Sequence, residues 1–388
     1  MKHAYNPLWL ENLLVVKEAR TWLASQFITP AQFENIKKEY ASDFYHPNFM
    51  IRILLFLAAV IAISGLTGIL VLMFSDLSDE PIGLLMLIYG LASFVFLEKF
   101  LVGGVRHFKS GVNEAVLYHA AGFTIAGLTF ISDGDEYAIA FFFLFVCSFA
   151  ALRYLDLVST SVAFLSFCFL VFRILYDGPG SVQQFIPLVF IILFTPIYIF
   201  VRASKQKQTT GAWHQCIVVL EVFSLICICA AGNYLVVREM SVSLLDLYVE
   251  EGQDIPLAFV FYALTAIIPL IYLYAGIRLK DIVLLRVSLI LLAFAVFTFK
   301  YYFSMGHHEV TYTIGGAILV VVAVVLFRYL KKSRNGYTAE NVLKEKWADA
   351  NPEAFVMSQT LGGNRVASQD GFAGKGGGFG GGGSGADY

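Results

Sequence analysis

Residues 51–74 read IRILLFLAAVIAISGLTGILVLMF, and Arg52 is the one charge in the run. As a helix rising 1.5 Å per residue the run is roughly 36 Å long, enough to cross a bilayer core of roughly 30 Å. Such a segment has few options, because lipid offers no partner to backbone N–H and C=O groups and a helix satisfies them internally. Asp76, Asp79 and Glu80 lie just past its end. That asymmetry predicts a cytosolic start and a translocated end, since basic residues near a span are retained inside.

The pattern then repeats. Apolar runs at 82–102, 112–131, 138–155, 161–176, 185–201, 216–237, 257–277, 282–303 and 312–330 bring the expectation to ten spans, the run 161–176 being the shortest. An even count returns the C-terminus to the side of the N-terminus. Charge tests the count independently of hydropathy. Loops expected in the cytosol carry ten basic residues: Lys99, Arg106, Lys109, Arg153, Arg202, Lys205, Lys207, Arg278, Lys280 and Arg286. The opposite loops carry three, Arg173, Arg238 and Lys300. One miscounted span would invert every later loop, so the alternation supports the topology. Composition agrees, with 58% hydrophobic and 14% charged residues where soluble domains have about 45–50% and 25%. A net charge of −2 gives no electrostatic footprint for nucleic acid.

Residues 1–49 contain no uninterrupted apolar core, so no cleavable signal peptide is expected. They read instead as a helical hairpin. Asn6-Pro7 suits an N-cap and first helical position. Trp9, Leu13, Val16, Ala19 and Leu23 recur at helical spacing. Thr29 with Gln32 forms a capping-box pattern ahead of Phe33, Ile36, Tyr40 and Phe44. So small a hairpin has little core of its own and is expected to dock on the bundle or on a partner. At the other end, Arg328, Lys331, Lys332 and Arg334 are placed to meet anionic lipid heads. Residues 338–347 and the stretch from Asn351-Pro352 read as short cytosolic helices within 331–361. Residues 362–388 are a Gly-rich tail whose composition predicts flexible chain. The domain reading is thus a head at 1–49, a bundle at 50–330, short helices and a tail.

Polar residues inside spans are the default functional candidates. Asn113, Glu114 and His119 fall in the third span, Glu221 and Asn233 in the seventh, and Arg286 and Lys300 in the ninth. Glu221 and Arg286 are expected roughly 6–8 Å from the cytosolic end and His119 roughly 9–12 Å. Glu114, His119, Glu221 and Arg286 therefore stand as candidates for a cytosol-facing site for an ion or small polar ligand. The competing reading makes Glu221 and Arg286, or Glu114 and Arg286, structural interhelical pairs. Pro187, Pro196 and Pro269 are candidates for broken helices of the kind that coordinate ions in carriers. The runs 65–68 and 122–127 suit close helix packing.

Other chemistry is not nominated. Cys147, Cys168, Cys216, Cys227 and Cys229 all lie in or beside spans and read as small apolar filler. Acidic residues cluster in the translocated loops without calcium-loop spacing, and His307-His308 lack partners at metal-ligand spacing. The run 242–249 suggests a segment on the membrane surface. Phosphate-binding loops, zinc-protease helices and nucleophile elbows are absent, so no catalytic residue, metal or cofactor is assigned.

Trp22, the run FITPAQFENIKKEY at 27–40 and the apolar switch after Met50 resemble a family of bacterial multi-span membrane proteins with a short helical head and no assigned activity. Tyr118-His119-Ala120-Ala121-Gly122 is similar in kind, and the glycine-rich end resembles tails of bacterial envelope proteins. The resemblance implies a bacterial inner membrane. The reading is an all-α polytopic bundle, functioning as a non-enzymatic scaffold or sensor that contacts partner proteins and membrane lipid. A carrier of a small polar solute or ion ranks second, and a membrane enzyme acting on lipid third.

Overall fold

The computed structural model describes residues 3–74, 79–205, 208–243 and 254–302, with single positions at 320, 324 and 328. Nine helices among them are long and apolar enough to cross a membrane, and the only pairing of β type there is an isolated bridge between Tyr45 and His107. The chain is an all-α polytopic bundle. The expected tenth span at 312–330, the segments beyond it, His307-His308 and most of the run 242–249 lie outside the described residues.

Two head helices, α1 (Pro7–Ala24) and α2 (Pro30–Glu39), come first. Asn6 caps α1, and Thr29 and Gln32 close the expected capping box on α2. The first span is α3 (Phe49–Met73), and the second is α4 (Asp79–Phe96) prolonged by a π-helical segment, Leu97–Gly104. Spans three to five are α5 (Val112–Ile131), α6 (Glu136–Tyr154) and α7 (Leu157–Tyr176). After a short α8 (Gly180–Gln183) come α9 (Ile186–Lys205) and α10 (His214–Gly232). Then follow α11 (Tyr234–Ser243), α12 (Ala258–Leu279) and α13 (Ile282–Tyr302).

Four helices depart from the sequence reading, each for a local reason. The fifth span starts at Leu157 rather than 161, because Asp156 caps the Ser159 amide at 2.7 Å. Thr160 and Ser161 bond back to carbonyls four residues earlier, so these hydroxyls cost little inside a span. Pro196 and Pro269 sit inside continuous helices, and Pro187 occupies the first turn of α9, where no N–H is missed. The break falls instead in the seventh span. Asn233 leaves the helical conformation (ψ 124°) and accepts from the Leu235 amide at 3.0 Å, ending α10 and starting α11.

Sequential antiparallel neighbours form the closest pairs: α4 with α5, α6 with α7, α9 with α10, and α12 with α13. Gly127 allows the first of these, since a Cβ there would lie 2.5 Å from the Leu87 nitrogen. Gly65, Gly68 and Gly122, which also suggested close packing, have no neighbour within 4 Å of such a Cβ. The largest core surrounds α10, where Val218, Leu225, Ile228 and Cys229 meet Phe164, Phe194, Tyr272 and Leu284. A second core lies where the head meets the bundle, joining Tyr5, Leu10 and Phe44 to Leu97, Leu101, Val116 and Leu117. By contrast, among the described residues α3 has none fully buried, and it packs chiefly on α5.

Candidate functional site

The most elaborate polar site lies at the end of the bundle that carries the head. It starts from the turn into α5. Gly111 has φ +92° and the carbonyl of Arg52 rests where its Cβ would be, so no side chain fits there. Arg106 and Lys109 also adopt positive φ (60° and 48°), conformations that cost a non-glycine residue on the order of 1 kcal/mol or more each. This strained turn places Glu114 in the third helical position. Its Oε2 accepts from the Gly111 amide at 2.7 Å, and its Oε1 accepts from the Arg52 guanidinium at 2.6 Å. The pair ties α3, otherwise loosely packed, to α5.

The surrounding groups are mutually satisfied. Asn113 Oδ1 accepts from the amide and hydroxyl of Ser110, whose hydroxyl also meets His107 Nδ1 at 2.7 Å. Lys109 donates to Gln215 at the start of α10, and Tyr118 donates to Asp156 at 3.0 Å. On the α4 side, Arg153 pairs with Glu98, which the π-helical segment carries, and Tyr154 donates to the same carboxylate at 3.3 Å. The cavity walled by Tyr5, Arg52, Lys109, Asn113, Glu114 and Asp156 has about 10 Å³ of free volume, the lower limit for one water.

The head closes this site. Tyr5 is buried above it, and burial, followed by the Glu114 charge, raises its hydroxyl pKa. The Ala4 amide donates to the Arg153 carbonyl at 2.8 Å, and His3 packs edge-on to Trp213, whose indole donates to Leu152. Phe44, Trp9 and Phe108 continue the contact, with the Arg106 guanidinium over the Trp9 ring at 4.9 Å. Tyr45 exchanges backbone hydrogen bonds with Arg106 and Phe108. Burial lowers the pKa of His107 beside this latch.

A second charged cluster stands at the same end. Glu221 is fully buried; Lys205 reaches its Oε2 at 2.7 Å and Arg202 lies 3.7 Å from its Oε1. Asp281 lies 3.1 Å from Arg202 and 3.6 Å from Lys205, while its Oδ1 caps the Val283 amide of α13. Two cations and two anions thus alternate across the ends of α9, α10 and α13.

The four sequence candidates do not converge. Glu114 pairs with Arg52 and Glu221 with Lys205, so neither expected pair with Arg286 forms. Arg202 and Lys205 win because they share the last turn of α9, which packs along α10, with Glu221. His119 points elsewhere on α5, into a trio with Thr67 (3.4 Å) and an edge-on Tyr89. Arg286 Nη1 is buried without a hydrogen-bond partner. Arg52, Arg202 and Lys205, which mark topology in the sequence, are the partners instead, and Glu98, Asp156 and Asp281 join them from helix ends that carry no spacing signal. The available signal was Gly111-x-x-Glu114, an acid at the third position of a helix.

The opposite end holds an aromatic knot. Asp254 accepts from Tyr234 at 2.6 Å and Tyr262 at 2.9 Å, and Arg238 covers the Tyr302 ring at 4.8 Å. Burial opposes ionisation of Asp254, but these hydroxyls and the Ile255 amide outweigh it and lower its pKa. Among the described residues no group of three or more His, Cys, Asp or Glu is placed to hold a metal ion. Comparison of the chain with protein-family models, curated proteins and solved structures finds no match.

Proposed function

We propose that the protein is a non-enzymatic scaffold or sensor of a bacterial cytoplasmic membrane, with its head in the cytosol and partner proteins engaged through its cytosolic ends. The observation that carries the reading is the docked head. Its inner face is built into the bundle through Tyr5, Leu10 and Phe44, while Leu8, Leu14, Trp22 and Phe27 remain exposed. Exposed apolar groups on a water-facing element suit a protein contact. The strained turn beneath the head supplies a coupling element, because movement of the head would uncover Arg52 and Glu114. The basic loops and the bacterial resemblance support the orientation and the membrane.

A carrier of a small polar solute is the second reading. It is favoured by the charged cavity under Tyr5, a plug that would have to leave before a solute entered. Photoreactive residues replacing Trp22 or Phe27 separate the two. The scaffold reading expects discrete cross-linked proteins in cells, absent when the probe replaces lipid-facing Ile61. No cross-link from the head, together with a flux in proteoliposomes that Glu114→Gln abolishes, would make the protein a carrier.

A further inference from the structure

We propose that the turn between α12 and α13 binds the phosphate of an anionic phospholipid, with Arg286 and Arg278 as its ligands. Arg286 sits in the second turn of α13, about 6 Å along the axis from Ile282. Its Nη1 is buried and lacks a hydrogen-bond partner, a costly state for a guanidinium in a low-dielectric setting. The acid nearest in sequence, Asp281, is already engaged by Arg202, Lys205 and the α13 amides.

The position of Arg286 on its helix identifies the missing partner. Leu289 and Ile290, three and four residues on and so on the same face, are 57% and 69% exposed. That face therefore meets acyl chains beyond Arg286. Arg286 itself, half-buried with its Nη1 covered by protein, reaches the headgroup layer one turn nearer the end of the span by swinging its long side chain outward. Arg278 is exposed in the last turn of α12, flanked by exposed Ile277 and Leu279. Two guanidiniums at the rim of an apolar surface match a phosphodiester on an acyl anchor better than free phosphate, which would gain nothing from the apolar flanks. The inference requires only that α12 and α13 cross a bilayer, and it holds for a scaffold or a carrier alike.

The test uses the full chain in nanodiscs of phosphatidylcholine doped with phosphatidylglycerol. Lipids retained by the protein are extracted and counted, with inorganic phosphate added to pure phosphatidylcholine discs as the soluble-anion arm. Phosphatidylglycerol should be enriched over its bulk fraction, and Arg286→Gln or Arg278→Gln should each reduce that enrichment about fivefold. Arg286→Lys should retain most of it. Should Arg286→Gln fail to insert, Arg278→Gln and Arg286→Lys decide the matter alone. Equal retention of both lipids by the native chain, enrichment untouched by Arg278→Gln, or saturable phosphate binding without lipid preference would each overturn the proposal.

Discussion

The two charged clusters at the head end solve one problem in different ways. Lys205 and Glu221 are 16 residues apart, on helices that meet as antiparallel neighbours, and helix ends alone bring them together. Arg52 and Glu114 are 62 residues apart and meet only because a strained turn with three positive-φ residues presents Glu114 to α3. The head seals the second arrangement, whereas Glu221 in the first is buried among the bundle helices themselves. One cluster is therefore a fixed lock among α9, α10 and α13. The other depends on a loop and a docked head, so a displacement of the head would reach α3 through it.

That contrast predicts effects of different size. Glu221→Ala should be the most damaging, because it leaves two cations, Lys205 and Arg202, with the single carboxylate of Asp281 in a largely buried site. A loss of about 3–5 kcal/mol is expected from unfolding in lipid or mild detergent. A loss under 1 kcal/mol would show that water reaches the cluster and that it is no lock. Gly111→Ala should cost about 3 kcal/mol, from left-handed backbone and the collision with the Arg52 carbonyl. Its signature is local: deuterium exchange should rise in α3 and the head while α9, α10 and α13 stay protected. Uniform exchange across both halves would erase the proposed distinction.

The smallest effect concerns pH. The folded protein binds the His107 proton more weakly than the unfolded chain, because burial disfavours the charged ring. The latch is therefore at full strength above the ordinary histidine pKa of about 6.5 and weakens as pH falls below it. Exchange at 44–46 should quicken between about pH 6.5 and 5, and His107→Gln should remove the dependence. An unchanged pH profile in that variant would assign the effect to another group.

The sequence made some of this legible and hid the rest for physical reasons. Hydropathy located all nine described spans, because twenty consecutive apolar residues leave no alternative in lipid. The head's caps at Asn6 and Thr29 were readable because capping is local in sequence. Glu114 and Glu221 stood out as polar residues in apolar runs, and both are buried. Their partners were not readable, since Arg52–Glu114 is a contact between elements whose packing depends on a glycine turn. The expected Arg286 pairs failed because helix face, not depth, selects partners: Arg286 lies on a face shared with exposed Leu289 and Ile290. Asn233 carried a cue in Gly232-Asn233, a helix-ending pair overlooked inside an apolar stretch, whereas the prolines drew attention to helices that continue.

The Arg52–Glu114 pair is the structural link between the first span and the head-covered site. A double-mutant cycle tests it, comparing Arg52→Ala, Glu114→Ala and the double variant by unfolding free energy in nanodiscs of one lipid composition. Coupling of about 2 kcal/mol is predicted, with the charge-reversed pair Arg52→Glu, Glu114→Arg regaining part of the loss. Coupling near zero, with solute binding lost and stability intact in the Glu114 variant, would instead make these residues a ligand site.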